Sequence, residues 1–384
     1  MSEQLKKLTG KNAKEFEPIA FELVNKPDVK LFEELVSQED FLFDFVKQNV
    51  ASRLSKYCNE VNYKNLLQLL KFYSPFYEEF IVSTLAKYAN EDLTDEMLNL
   101  LENGNRNEKT YSAKFFSYIQ DPLSIDLLKA NAYDENTFLS YNCASTLALL
   151  GDRTCYNQAL EKLKSEDDFE VLNAVKFLVS YGDKNAVDNI LDVMRTSAVA
   201  ENIAVEIPYL VNMTDFAITN DGLFVLNLII NGLGEISSLA QVFDFHLYEI
   251  FEKLLNNPNA AVVILNAYDK FNTLTENDEY LYDETKDVKQ EIFDIKKLIG
   301  NTNINKLKTL VEQEINQDSQ FVFTALDFTQ NADKVRKLLN STNQTLILKS
   351  LEILKKLGAM TQKDKELAIK NITNENIRNI VLAM

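Results

Sequence analysis

Apolar residues recur along this chain at two nested periods. The short one is three or four residues, the spacing that gathers side chains on one face of an α-helix. The long one is 31 residues: Leu-Leu-Gly-Asp ends at Asp152, Ser-Tyr-Gly-Asp ends at Asp183, and 183 − 152 = 31. The same step backwards reaches Asp121 and Asn90. Acidic and amide residues at such positions cap the helix that follows.

Whole columns share this step. Val82, Ala113, Ala144 and Val175 form one, and Leu85, Phe116, Leu147 and Leu178 the next. Ile81, Ser112, Cys143 and Ala174 make a third, small or apolar throughout. In the helix before, Met97, Leu128, Ala159 and Ile190 align, as do Leu101, Ala132, Leu163 and Met194. Ala51 and Leu54 continue the first two columns backwards, while Leu35 and Leu66 continue the Met97 column. Each unit therefore reads as helix A, a turn, helix B and a capped turn. Gly151 and Gly182 stand at the C-terminus of helix B, where a left-handed residue costs least as glycine.

One hairpin cannot bury its apolar stripe alone, and stacking on its neighbours completes the core. The pattern thus predicts an all-α fold, an α-solenoid of stacked helical hairpins. Residues 27–196 form the regular array, with 1–26 a capping region before it. The register is lost over 197–300, where a loop is expected near Asn212 to Gly222. Over 301–384 the hairpin rhythm returns: Asn343 and Asn374 stand 374 − 343 = 31 apart, and Leu346 aligns with Ile377. Only 9 Gly and 6 Pro occur in 384 residues, too few for the turns of a β-sandwich or barrel.

Ala144-Ser-Thr-Leu-Ala-Leu-Leu-Gly-Asp, then Ala159-Leu and Leu163, then Glu166-Asp-Asp-Phe-Glu-Val and Ala174, resembles the short HEAT-like repeats of bacterial scaffold proteins and phycobilisome-lyase-type proteins. The resemblance covers somewhat under half the chain. A tetratricopeptide array needs tryptophan, which is absent, and ankyrin's Thr-Pro-Leu-His is missing too. One departure concerns an arginine that HEAT-like repeats place just after the valine of helix B. Here those positions hold Thr110, Tyr141 and Leu172, so the resemblance leads one to expect no Asp–Arg ladder between neighbouring units.

Composition narrows the chemistry. A net charge of −18, with lysines mixed among acids, opposes nucleic-acid binding. Cys58, Cys143 and Cys155 suggest no disulfide framework and suit a reducing compartment. The first residues lack a signal-peptide pattern, and Gly222 to Ile236, the most apolar stretch, is too short and interrupted to insert in a membrane. The expected location is cytoplasmic. His246 is the single histidine, so the His-Glu sets of HEAT-like hydroxylases cannot be built, and a Ser-His-Asp or Cys-His arrangement would have to use that same residue, with no strained turn for the nucleophile. Asn231-Gly-Leu-Gly-Glu lacks the third glycine and the lysine of a phosphate loop. The acidic stretch from Glu276 to Asp287 lacks calcium-loop spacing and reads as solvated. Cys143 and Cys155 fall in small-residue columns, the latter with Leu93, Ser124 and Ala186, and read as tight packing. No cofactor or metal is implied.

The far side of helix B carries the candidate site. Positions two before, two after and five after the Val82 column lie opposite it. They hold Phe80, Thr84 and Lys87; Tyr111, Phe115 and Tyr118; Asn142, Thr146 and Leu149; Asn173, Phe177 and Ser180. The neighbouring column, Ser83, Lys114, Ser145 and Lys176, is polar and should face solvent. Phe80, Tyr111, Phe115, Tyr118 and Phe177 are therefore the candidate anchors for a protein or peptide on a concave surface. The expected function is a non-catalytic scaffold or adaptor. Its alternative is a HEAT-type lyase or cofactor-attachment factor, which needs a pocket with convergent polar groups.

Overall fold

The computed structural model describes residues 2–38, 41–69, 75–233, 246–273 and 286–384. The acidic residues 276–284 lie outside the described residues, as do Gly234 and Glu235. The described elements are α-helices and short 3-10 turns, and the fold is all-α. The chain forms two compact units, Met1–Ala186 and Val187–Met384.

The first unit opens with a helical pair, α1 (Glu3–Thr9) and α2 (Ala13–Asn25), that packs on the helices after it. Five successive helix pairs follow in chain order: α3 (Val29–Val36) and α4 (Phe41–Lys56), α5 (Tyr63–Leu69) and α6 (Pro75–Ala86), and α7 (Glu91–Asn103) and α8 (Arg106–Ile119). The last two are α9 (Ile125–Asn131) with α10 (Thr137–Leu149) and α11 (Thr154–Lys162) with α12 (Asp168–Tyr181). The first helix of each pair is helix A and the second helix B. Consecutive B helices pack directly on one another, α4 on α6, α6 on α8, α8 on α10 and α10 on α12.

The 31-residue columns are the core of this stack. Every first-unit member of the Val82, Leu85, Ile81, Met97 and Leu101 columns is buried, and Ile190 and Met194 are buried within the second unit. The caps form as the sequence predicts. The side chains of Asn90, Asp121, Asp152 and Asp183 accept backbone N–H bonds from Leu93, Leu123, Thr154 and Asn185 at 2.9–3.0 Å. Each satisfies a donor that the first turn of a helix leaves without an intrahelical partner. Gly151 and Gly182 adopt φ of +73° and +79°, the left-handed conformation that closes a helix C-terminus.

In the second unit the 31-residue pattern resumes near the C-terminus. Asn343 caps Gln344–Lys356 and Asn374 caps Glu375–Ala383; Leu346 is buried and Ile377 half-buried. Earlier in the second unit's sequence, Asn220–Asn231 packs on Ala261–Thr273, itself packed on Lys286–Gly300 and Ile304–Val311. The loop expected at 212–222 is instead partly helical. Asn212 accepts from Thr214 N–H to start Met213–Phe216, and Thr219 accepts from Gly222 N–H to start Asn220–Asn231. Polar capping residues there begin helices rather than extend a loop.

Candidate functional site

Packing between B helices decides which of their side chains meet solvent. Asn142 Nδ2 donates to the Thr110 carbonyl at 3.2 Å, and Thr146 Oγ1 donates to the Ala113 carbonyl at 3.0 Å. Both bonds run from α10 to α8 and are buried. The side opposite the Val82 column is thus where one B helix meets the one before it. The aromatic residues in these positions fill that seam. Tyr111, Phe115 and Phe177 are at most 4% exposed, with Phe115 edge-on to Phe116 at 5.5 Å and Phe177 5.0 Å from Tyr133. Burial also pushes the Tyr111 phenol well above its usual range. These three candidate anchors are core residues. Phe80 and Tyr118, the other two, are about two-fifths exposed.

The solvent-facing stripe lies nearer to the core column than the sequence suggested, by about 60° around the helix at 100° per residue. Its centre is the polar column Ser83, Lys114, Ser145 and Lys176, each half-buried or exposed. Four residues outside the candidate anchors share it: Phe138, Tyr141 and Leu149 on α10 and Phe169 on α12, all 51–69% exposed; of these the sequence places only Leu149 on the far face. A signal for them was present. Phe138 stands seven residues before Ser145 and Phe169 seven before Lys176, while Tyr141 and Leu149 flank Ser145 by four. These are same-face spacings on a helix. Phe138 and Phe169 occupy equivalent positions on adjacent helices, as do Tyr118 and Leu149. The Lys114 ammonium sits 5.6 Å from the centre of the Tyr118 ring.

The stripe therefore has a layout. Phe138, Tyr141 and Phe169 cluster toward the N-termini of α10 and α12, Tyr118 and Leu149 lie at the C-termini of α8 and α10, and the lysine–serine column runs between them.

Charge links successive caps on the other edge. Lys129 Nζ lies 3.1 Å from Asp152 Oδ2, and Arg153 Nη2 lies 2.7 Å from Asp183 Oδ2. The arginine also stacks over Tyr156, 4.0 Å from its centroid. Arginines are absent at 110, 141 and 172, yet a base-to-cap link joins neighbouring repeats from other positions. The Asn185 N–H and then the Arg153 guanidinium hold the Asp183 carboxyl below its usual range.

The remaining candidates are structural. Cys143 and Cys155 are buried, and burial raises both thiols; Cys58 is half-buried and pushed up to about 11. Protonated thiols are poor nucleophiles and ligands. His246 is exposed, in left-handed conformation just before Leu247–Leu254. Among the described residues, no three His, Cys, Asp or Glu side chains are placed to hold a metal, and no helix is long and apolar enough to cross a membrane.

The second unit contains a cleft of about 360 Å³ lined by Asn231, Asn266, Lys270, Phe323, Thr324, Asp327 and Lys349. A partly buried amide network supports it. Asn227 Nδ2 donates to Thr324 Oγ1 at 2.9 Å, and Asn266 Nδ2 donates to the side-chain oxygens of Asn227 and Asn231 at 3.1 and 2.7 Å.

No family model matches the chain, and no curated protein matches it. Among solved structures it is similar to an engineered protein, at 13% identity over 97% of this chain and 98% of the other, with a TM-score of 0.26. A likeness of that size fixes neither fold nor function.

Proposed function

We propose that this chain is a non-catalytic protein-binding scaffold of the HEAT-like α-solenoid kind, and that its partner docks on the exposed stripe of the B helices. The observation that carries this reading is the set Phe138, Tyr141, Leu149 and Phe169. Four large apolar side chains, each more than half exposed, share one face of two adjacent helices. A soluble fold gains nothing from wetting such groups, and clustered exposed apolar surface marks interaction sites. Aromatic side chains on a rigid helical base also lose little entropy when they anchor a partner. The test is a peptide-display selection on the wild-type chain and on F138S/Y141S/F169S. Peptides recovered on the wild type should lose binding to the triple variant while its melting temperature stays put. Equal recovery on both would sink the reading.

The lyase or attachment-factor alternative is favoured by one observation, the polar cleft at Asn231, Asn266 and Lys270. Its size is in the range of ligand sites, roughly 300–1,000 Å³. Its lining holds no histidine or cysteine, so attachment chemistry there would fall to Lys270 or Lys349. Thermal-shift screening of small ligands against the wild type and N266A tests this reading directly.

A further inference from the structure

We propose that the B-helix stripe is built for an acidic segment laid across the helices, with carboxylates over Lys114 and Lys176 and apolar side chains on the flanking aromatic groups. The inference rests on the partner-binding reading of the same face and specifies the partner's chemistry.

Charge segregation carries it. The chain has a net charge of −18, and the acids of α7 crowd its exposed side at Glu91, Asp92, Asp95, Glu96 and Glu102. Beyond the first turn of α8, α10 and α12 the solvent-facing positions hold Lys114 and Lys176 and not one acid. In so acidic a chain a cationic stripe is an exception, and it lies between the two groups of exposed apolar residues, of which Phe169 stands in a first turn beside Asp168 and Glu170. Attraction at such a stripe steers an acidic partner in and turns away a basic one.

Direction and spacing follow from the packing. Lys114, Ser145 and Lys176 occupy one column on three successive helices, so the stripe runs across the helix axes. Packed helices lie roughly 8–10 Å apart, which places the two lysine positions on the order of 16–20 Å apart. An extended chain advances about 3.3 Å per residue, so carboxylates five or six residues apart meet both. The Phe138–Tyr141–Phe169 cluster borders the stripe on one side and Tyr118–Leu149 on the other, so apolar residues between the acids find seats. Exposed ion pairs contribute little affinity each, so the aromatic groups hold the segment and the lysines select it. A phosphate backbone is the poorer match, because the column alternates lysine, serine, lysine where a nucleic-acid groove needs a run of cations.

The experiment is a random-dodecamer display selection on the full-length chain, on K114E/K176E and on F138S/F169S. Anisotropy titrations of the recovered peptides and of an oligo-dT probe at low and high salt complete it. The expected result is a pool rich in Asp or Glu five to six residues apart. Its affinity should fall at least tenfold on K114E/K176E and weaken with salt. If the charge-reversed variant misfolds, K114Q/K176Q carries the same test. A pool that depends on Phe138 and Phe169 but shows no acid enrichment, and ignores the lysine changes, overturns the acidic partner and leaves the binding face standing. A pool indifferent to both variants, or preferential binding of oligo-dT, overturns both.

Discussion

The Tyr181 hydroxyl donates to the backbone carbonyl of Asp152 at 2.9 Å, tying the last turn of a B helix to the cap of its own A helix. Tyr88, three repeats earlier since 181 − 88 = 93, makes a similar bond at 3.2 Å to the carbonyl of Cys58, one residue before the position that matches Asp152. Each is paired with a second tyrosine at the same step, Tyr63 with Tyr88 and Tyr156 with Tyr181, with ring centres 6.0 and 4.9 Å apart. The two intervening hairpins carry Ile119 and Leu150 at that position and lack the latch.

Removing the latch should therefore have a measurable and local cost. Tyr181→Phe deletes the donor and keeps the ring, so urea denaturation should report a loss of about 0.5–1.5 kcal/mol. Tyr88→Phe should behave alike, and the two losses should add because the sites are three repeats apart. A loss near zero for both would show that the hydroxyls bond water equally well.

The rotation of helix B is open to direct test. Tyr111→Ser and Phe115→Ala empty the seam between B helices and should cost about 3 kcal/mol or more each. Phe138→Ser and Phe169→Ser alter solvent-facing side chains and should stay within about 0.5 kcal/mol of the wild type. Opposite rankings in thermal melts would place the stripe on the wrong side.

Acid sensitivity follows from the caps. Asp183 is held below its usual range by the Asn185 N–H and by Arg153. Asp152 is also lowered: burial raises it, but the Thr154 N–H and Lys129 outweigh that. A carboxyl with a depressed folded value stabilises the fold above its unfolded value, near 3.9, and the gain is lost as pH falls through the folded value. Stability should thus drop below about pH 4, and D152N/D183N should flatten that drop while lowering stability at neutral pH. An unchanged acid limb would remove the caps from the explanation.

In the second unit, Asn227 is buried with both ends of its amide bonded, to Thr324 and to Asn266. Asn227→Ala removes the partner of the buried Thr324 hydroxyl and one of the two bonds of the Asn266 amide, and should cost about 1–3 kcal/mol. It should also loosen the wall of the neighbouring cleft, seen as faster amide exchange in Ala261–Thr273. Wild-type exchange there would separate the network from the cleft.

The fold was legible in the sequence wherever one side of a helix stays apolar and the other polar, as in the Val82 and Met97 columns. Legibility failed for two physical reasons. In Asn220–Asn231, Leu223, Phe224, Val225 and Leu226 are all buried, so the helix is wrapped on every side and no amphipathic period marks it. On helix B the core column was identified, but a single column cannot say on which flank the next helix lies. Thr146 and Asn142 look like surface residues in sequence, yet they spend their polar atoms on carbonyls of α8. The aromatic groups beside them went into the seam, while Phe138 and Phe169 faced out.

The narrowness of the exposed stripe has an evolutionary consequence. On α10 the fold is fixed by Leu139, Cys143, Ala144, Thr146 and Leu147, all buried, while Phe138, Tyr141, Ser145 and Leu149 contribute little to it. Selection can then rewrite one set of positions without disturbing the other. A descendant that kept every column but exchanged Lys114, Lys176 and the outward aromatic residues would fold as this chain does and answer to a different ligand. Such a repeat is a fixed grammar with an editable vocabulary, and divergence among its relatives should concentrate at those few outward letters.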